Sequence, residues 1–532
     1  MKKVGTLNRR ELLKRGGVVG GVLALSPLLQ EVAMAAPTMA SAPAGGDGLR
    51  IGKRIYESIG VRPMINARGT FTIISGSLML PEVRDAIDAA ARHYVHLDEL
   101  ADAVGTRLAE LTGAEFGLVS SGCSAGLTHA TAACVAGGNP DLHVRIPDLA
   151  GFQKTEVIIP RHSRNVYEAA VSAVGVRVVE VNTRAELEAA IGPQTAMVYV
   201  MAGPRVDDSE LHTRAIADIT EPRGVPLLVD AAAEILTIPN VHLRNGATLV
   251  AYSGGKAIRG PQSAGLVLGR EDLVRAAWVH SAPHHGFARG FKVGKEEAIG
   301  MLMAVEMWVR RDHDAEWAQW TSWLEHIASR VEKVRGVTTR IVQPTGLSNR
   351  TPSLRVLWNE KELRLSGSTA VSALDAGEPR IACSSTSSDG LTGVSITPYM
   401  MMPGDERTVA NELYKLLKNP PPQPETPTLP PAVDLTGRWE VQIEYLASSS
   451  THVFELTQQG NEVTGTHQGE FVSRTLSGTI SDRQVRFRSN YPESNGDALS
   501  FTFTGTAGGQ AMAGALDMGE YLAAKWSAKR RG

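Results

Sequence analysis

Three cysteines in 532 residues are too few for a disulfide framework, and Cys123, Cys134 and Cys383 have no zinc-binding spacing. Positive charge is not in excess either. Lys and Arg number 54 against 56 Asp and Glu, a formal charge of −2, which argues against a nucleic-acid binder. The apolar run near the N-terminus, GGVVGGVLALSPLL, is too short and too rich in glycine for a good spanning helix. What remains is 43% hydrophobic and 21% charged, the balance of a globular chain long enough for two or three domains.

The first 35 residues read as an export signal rather than as part of a fold. MKKVGTLNRRELLKR carries six basic residues against one acid, the apolar run follows, and Ala33-Met34-Ala35 supplies a small-residue cleavage site. Arg9-Arg10 with Leu12, Leu13 and Lys14 resembles a twin-arginine signal, so the mature chain is expected in the periplasm or otherwise exported, free of membrane. Its loss leaves the chain more acidic and nucleic acid a still poorer partner.

Residues 36–50, rich in Ala, Pro and Gly, read as a disordered tether. From 51 to 310, β-branched runs alternate with helical stretches: 156–160, 176–181, 196–201, 226–230, 248–252 and 264–269 read as buried strands. That alternation predicts a mainly parallel sheet covered by helices, with ligands at the strands' carboxyl ends. Residues 311–418 read as a helical connection and a smaller α/β lobe. The proline-rich stretch 419–433 is a stiff linker. Beyond it, 434–532 changes to period-2 strands and Gly/Asn/Asp turns, an antiparallel meander best closed as a small barrel.

One constellation carries chemistry. Lys256 follows a predicted strand end in Ser253-Gly254-Gly255-Lys256, where a lysine in an apolar wall can serve as a Schiff-base amine. Residues 118–138 read as strand, Ser/Gly turn and small-residue helix, whose first N–H groups with Ser121 and Ser124 would cradle a dianion. Ser253 could offer a hydroxyl to the same phosphate. Asp230 ends the run VPLLVD, placed to hold a pyridinium nitrogen protonated. Any one of these is common; a phosphate turn, an aspartate and Ser-x-x-Lys in that order at strand ends is not.

These residues, with MINARGTFTIISGSLMLPEV (64–83), LLVDAAAE (227–234) and SGGKAIRGPQSAGLVLG (253–269), resemble the selenocysteine-synthase and D-glucosaminate-6-phosphate ammonia-lyase group of pyridoxal-phosphate enzymes. The resemblance spans about 55–415 and implies the aspartate-aminotransferase fold (fold type I), pyridoxal 5'-phosphate as cofactor, and at least a homodimer. It implies Lys256 as the covalent anchor and proton carrier, Asp230 on the ring nitrogen, and Ser121, Gly122, Cys123, Ser124 and Ser253 around the phosphate. His162 falls where such folds stack a side chain on the ring. Asn66, Arg68, Arg259, Gln262 and Arg380 fall where substrate is gripped, Arg380 on its carboxylate.

The reaction so implied is α,β-elimination on a small polar amino acid, hypothetically a β-hydroxy or sugar-derived one, releasing ammonia. Racemisation or other Cα chemistry is the nearest alternative. A charged tRNA substrate fits neither the acidic charge nor the export signal. A reading of another class is a degenerate scaffold whose barrel, opening with the lipocalin-like Gly437-Arg438-Trp439, binds a ligand or partner. His280, His284 and His285 suggest a flexible substrate loop more than a metal site, since no carboxylate lies at helical spacing. The Met400–Met402 run reads as packing rather than a copper site.

Overall fold

The computed structural model describes residues 48–422, 428–490 and 500–531. The export signal at 1–35, the tether up to residue 47 and residues 423–427 of the linker lie outside the described residues. Contacts divide the chain into two compact units, one within Gly46–Thr426 and one within Pro427–Gly532.

The first unit is built on seven strands: β1 Phe116–Ser120, β2 Glu156–Pro160, β3 Arg177–Val181, β4 Thr195–Met201, β5 Leu227–Asp230, β6 Leu249–Ser253 and β7 Gly265–Gly269. Their order across the sheet is β1-β7-β6-β5-β4-β2-β3. Pairings among β6, β5, β4, β2 and β3 are parallel, whereas β7 runs antiparallel to both neighbours. Apolar side chains alternate between the faces. Ile158, Val198, Val200 and Val229 enter one core; Val157, Ile159, Met197 and Leu228 enter the other. Strands buried on both faces read as continuous apolar runs, which is why they were visible in the sequence.

Helices α1 (Pro81–Ala91), α2 (Leu97–Thr112) and α3 (Cys123–Ala136) cover this sheet with α4 (Lys295–Arg310). Helix α3 is nearly all buried, and its small side chains let it lie close to β7. Helix α5 (His313–Val331) leads to a smaller lobe with strands β8 (Val337–Val342), β9 (Ser353–Trp358), β10 (Ser384–Ser388) and β11 (Leu391–Ile396). These form an antiparallel sheet in the order β10-β11-β9-β8, packed against α5 and α6 (Asp405–Lys418). Its core includes Trp323, Trp358, Leu413 and Met401, so the methionine run serves mainly as packing there, with Met402 exposed. The N-terminal strand Ile65–Asn66 pairs in parallel with Ile381–Ala382 and ties the first segment to this lobe.

The second unit is a closed antiparallel barrel of eight strands, Gly437–Glu444, Ser449–Gln459, Glu462–Gln468, Ser473–Ser481, Gln484–Asn490, Phe501–Ala507, Ala511–Asp517 and Ala523–Arg531. The first strand pairs with the last, from Arg438–Arg531 to Glu444–Lys525, so no edge is left open. Period-2 alternation sends Trp439, Phe454, Phe487, Phe503 and Trp526 inward. Trp439 donates its indole N–H to the Leu435 carbonyl at 2.8 Å, and the Arg530 guanidinium lies over its ring. One end of the interior is polar. Ser450 bonds His452 (2.9 Å), His452 bonds His467 (2.7 Å) and His467 bonds Ser489 (2.8 Å). Among the described residues no helix is long and apolar enough to cross a membrane.

Candidate active site

The anticipated residues gather at the carboxyl ends of the central strands. Asp230 is the last residue of β5, and β6 beside it runs to Ser253 and the turn that carries Lys256. That turn is closed by backbone bonds from Gly260 to Gly254 (2.8 Å) and from Gly254 to Ala264 (2.9 Å). The pairing of β7 with both β6 and β1 then brings the turn after β1, Ser121-Gly122, to the same end. Lys256 is half-buried and near enough to Asp230 and Cys123 to favour the charged form of each.

Helix α3 begins at Cys123 without a side-chain cap, so the N–H groups of its first turn have no side-chain acceptor. Gly122 makes this possible. Its φ of 95° is a left-handed conformation, and a Cβ there would meet nothing within 4 Å, which leaves open space over the helix start. Gly265 approaches from behind, where a Cβ would come within 2.4 Å of the Gly122 carbonyl carbon and 2.5 Å of the Cys123 nitrogen. The Ser121 hydroxyl donates to the Phe291 carbonyl at 2.9 Å, its oxygen still able to accept. An uncapped 14-residue helix, two serines and a nearby lysine fit a phosphate dianion.

Asp230 is only 4% exposed, and burial raises its proton affinity. Three donors and Lys256 oppose that. The Ala232 N–H reaches Oδ1 at 3.0 Å, the Tyr199 hydroxyl reaches Oδ2 at 2.9 Å, and the Cys123 Sγ lies 3.7 Å from Oδ1. Asn165 in turn donates its amide to the Tyr199 oxygen at 3.2 Å and to the Ser163 carbonyl at 2.6 Å. Burial, with Asp230 beside it, pushes the Cys123 thiol well above its usual range, so it stays a thiol. Cys123 was expected beside the phosphate; its backbone is there, but its sulfur faces the aspartate. Tyr199 and Asn165 were missed. The signal for Tyr199 was a phenol in an otherwise apolar buried strand, where a hydroxyl must find a partner.

His162 follows β2, its Nδ1 2.9 Å from the Ser163 hydroxyl, and burial lowers its proton affinity, which keeps the ring neutral at pH 7. Asn66 spends its side chain locally, accepting from the Arg68 and Gly69 amides and donating to the Gly69 carbonyl. This bend lays the Arg68 guanidinium on the Phe71 ring, 4.3 Å from its centroid. Arg259 and Gln262 make contacts the sequence did not point to. Arg259 donates to the Leu78 carbonyl (3.0 Å) and Gln262 to that of Thr72 (3.2 Å), clamping the N-terminal segment to the lysine turn. Arg380 is held by both oxygens of Asp375 at 2.9 Å. Ser124 is exposed at the start of α3 and Ser253 half-buried at the end of β6.

The histidine stretch departs from expectation. His280 is fully buried, its Nδ1 2.6 Å from that of His143, and His284 stacks edge-on against Trp278, so they belong to the packing rather than to a mobile loop. Among the described residues no group of three or more His, Cys, Asp or Glu is placed to hold a metal ion.

No family model matches the chain. It is 32% identical over 333 residues to the D-glucosaminate-6-phosphate ammonia lyase of Salmonella typhimurium, covering 61% of this chain and 87% of that one. It is also 32% identical over 376 residues to the 5'-C-glycyluridine monooxygenase-decarboxylase of a Streptomyces species, covering 68% and 92%. A solved structure of D-glucosaminate-6-phosphate ammonia-lyase superposes with a TM-score of 0.62 at 29% identity, over 69% of this chain and 99% of that one.

Proposed function

The chain belongs to the fold-type I family of pyridoxal-phosphate enzymes that includes D-glucosaminate-6-phosphate ammonia lyase, and on that premise we propose that it is an exported, homodimeric lyase that eliminates the β-substituent of a small polar amino acid and releases ammonia and a 2-keto acid. The observation that supports this best is the convergence of Lys256, Asp230 and the open start of α3 at one end of the sheet. Pyridoxal phosphate, when bound, supplies an electron sink for the bonds at the amino acid's Cα.

This chain's residues would do the rest. Lys256 is the covalent anchor and, once displaced by substrate, the base at the Cα proton and the acid for the departing β-hydroxyl. Asp230 holds the ring-nitrogen proton, while the α3 amides, Ser121, Ser124 and Ser253 take the phosphate. Arg68 is the better grip for the substrate carboxylate, because Arg380 is already paired with Asp375. Arg9-Arg10 and the residues after it support export of a folded, cofactor-loaded protein. Tyr56, Phe71, Ile73, Leu78 and Tyr94 are all exposed along the N-terminal segment, which supports a second copy of the chain covering them.

The oxidative decarboxylase among the relatives, at 32% identity over 92% of its length, favours a second reading in which another bond at Cα is broken. The test is direct. Purified protein should be yellow, and borohydride should fix the cofactor on Lys256, with no fixation in Lys256→Ala. A panel of D- and L-amino acids and aminosugar acids, assayed for ammonia and 2-keto acid, separates elimination from racemisation and decarboxylation. Colourless protein that cannot be reconstituted would favour the degenerate-scaffold alternative.

A further inference from the structure

The loop that carries Lys256 is shaped by a residue in an unfavourable conformation. Arg259 sits at φ 60°, the left-handed region where glycine is the default and a side chain is strained. Its N–H bonds the Lys256 carbonyl at 3.0 Å, and the next N–H, that of Gly260, bonds the Gly254 carbonyl at 2.8 Å. Lys256 is thereby held inside a loop whose closure depends on the reversal at 259. The neighbouring glycines serve another need. A Cβ at Gly254 would come within 2.7 Å of the Ala264 carbonyl oxygen, and one at Gly255 within 2.7 Å of the Gln262 Cα. Glycine thus stands where space demands it, and arginine at the position whose φ favours glycine. The Arg259 side chain must supply something that outweighs its strain.

That side chain reaches out of the loop. Its Nε donates to the Leu78 carbonyl at 3.0 Å, and the Arg259 carbonyl accepts from the Leu80 N–H at 3.4 Å. Gln262 donates to the Thr72 carbonyl at 3.2 Å. Between these anchors the Ser77 N–H meets the Gly255 carbonyl, next to Lys256, at 2.9 Å. Residues 72–80 therefore lie across the lysine loop as a strap, bonded to it at residues 255, 259 and 262. The strap is bent to do so. Ser75 (φ 75°) and Gly76 (φ 64°) are consecutive left-handed residues, and a Cβ on Gly76 would come within 2.6 Å of the Gly255 carbonyl oxygen. Ser75 and Arg259, left-handed on opposite sides of one contact, mark a junction fixed against local backbone preference.

We propose that Arg259 and Gln262 are positioning residues for Lys256. They tie its loop to the strap at 72–80 and so fix where the lysine amine stands relative to Asp230, acting through the loop rather than on the reacting atoms. Strain at Arg259 is retained because the bond to Leu78 holds the loop in place. The proposal rests on the reading of Lys256 as the cofactor's anchor.

Arg259→Gly separates the two effects, because glycine relieves the strain at φ 60° while removing the strap bond. Pyridoxal phosphate affinity, titrated into apoprotein, should weaken at least tenfold. The urea midpoint of the same apoprotein should change little, strain relief offsetting the lost bond. Arg259→Lys, whose ammonium can still donate to the Leu78 carbonyl, should fall between. Gln262→Met, which keeps the length without the donor, should also weaken affinity. The visible spectrum of loaded Arg259→Gly should titrate at a shifted pH, because the Lys256 nitrogen no longer stands at a fixed distance from Asp230. Amide deuterium exchange in apoprotein should quicken at 254–260 and 72–80 and stay unchanged elsewhere. Native cofactor affinity in Arg259→Gly overturns the proposal, and so does a loss of affinity matched by a loss of urea midpoint, which would make Arg259 a residue of the fold alone. Native protein that takes up no cofactor would instead defeat the reading of Lys256. The exchange comparison would still decide the strap, since unchanged exchange at 254–260 means that Arg259 does not hold the loop.

Discussion

Tyr199→Phe removes one oxygen from the site and nothing else. That oxygen donates to Asp230 Oδ2 at 2.9 Å and accepts from Asn165 at 3.2 Å, while the ring stays fully buried in the core. A hydrogen bond to an ionised group contributes about 1.5–3 kcal/mol. Asn165 keeps its bond to the Ser163 carbonyl but loses the acceptor of its second N–H, which adds to the cost of the change. About 2 kcal/mol, or roughly thirtyfold, should therefore be lost from the interaction of Asp230 with the protonated ring nitrogen. Cofactor affinity, read by fluorescence titration of apoprotein, should weaken by up to about thirtyfold. The visible spectrum of the loaded variant should titrate at lower pH than that of the native protein. Turnover should fall with little change in KM, because no substrate contact is touched. A Phe variant that binds cofactor and titrates like the native protein would refute the role given to Tyr199, whatever its turnover.

Gly265→Ala should loosen the start of α3, because the new Cβ would press on backbone at Gly122 and Cys123; we expect a loss of about 1–3 kcal/mol in urea unfolding and poor cofactor retention. In the barrel, burial lowers the proton affinities of His452 and His467 from 6.5 to about 4 and about 3. The unfolded chain takes up these protons below about pH 6.5 and the folded barrel does not, so stability present at pH 7 should decline between about 6.5 and 4, by up to about 1.4 kcal/mol per pH unit for each histidine. Urea midpoints of the full chain at pH 7, 6 and 5 measure this, and a His452→Gln/His467→Gln protein whose barrel transition falls as steeply would remove the histidines from the account.

Most strands of the main sheet were legible because they are apolar on both faces, the edge strand Arg177–Val181 being the exception, and the barrel because its strands alternate. Direction was not. Residues 264–269 are as apolar in an antiparallel strand as in a parallel one, and β7 is antiparallel on both sides. Lys256, Asp230 and the Ser121–Ser124 turn were legible as polar groups at strand ends. The contacts of Arg259 and Gln262 were not legible, because closeness to Lys256 in sequence does not say which carbonyls the side chains meet. Arg259 sits at φ 60°, the chain reverses there, and both side chains meet carbonyls more than 180 residues away. His280 misled for a related reason: a histidine-rich run reads as exposed, and only the tertiary partner His143 shows that the ring is buried.

The residue most hidden in the sequence is also the one whose chemistry the strand geometry explains best. Met201, at the end of β4, pairs with Asp230, and Tyr199 lies two residues back on the same face of the strand. Two residues of strand are about 6.6 Å, a span that a serine or threonine hydroxyl cannot cross and a phenol can. The ring fills the core under β5 while its oxygen surfaces at the carboxylate. Polarity then follows from the next partner. An Asn165 amide nitrogen can only donate, so the Tyr199 oxygen must accept from it and turn its own hydrogen toward Asp230. The aspartate receives protons from Tyr199, Cys123 and the Ala232 amide and has none to give. In a pocket where burial raises its proton affinity, that one-way set of donors favours the carboxylate that a protonated pyridine nitrogen requires.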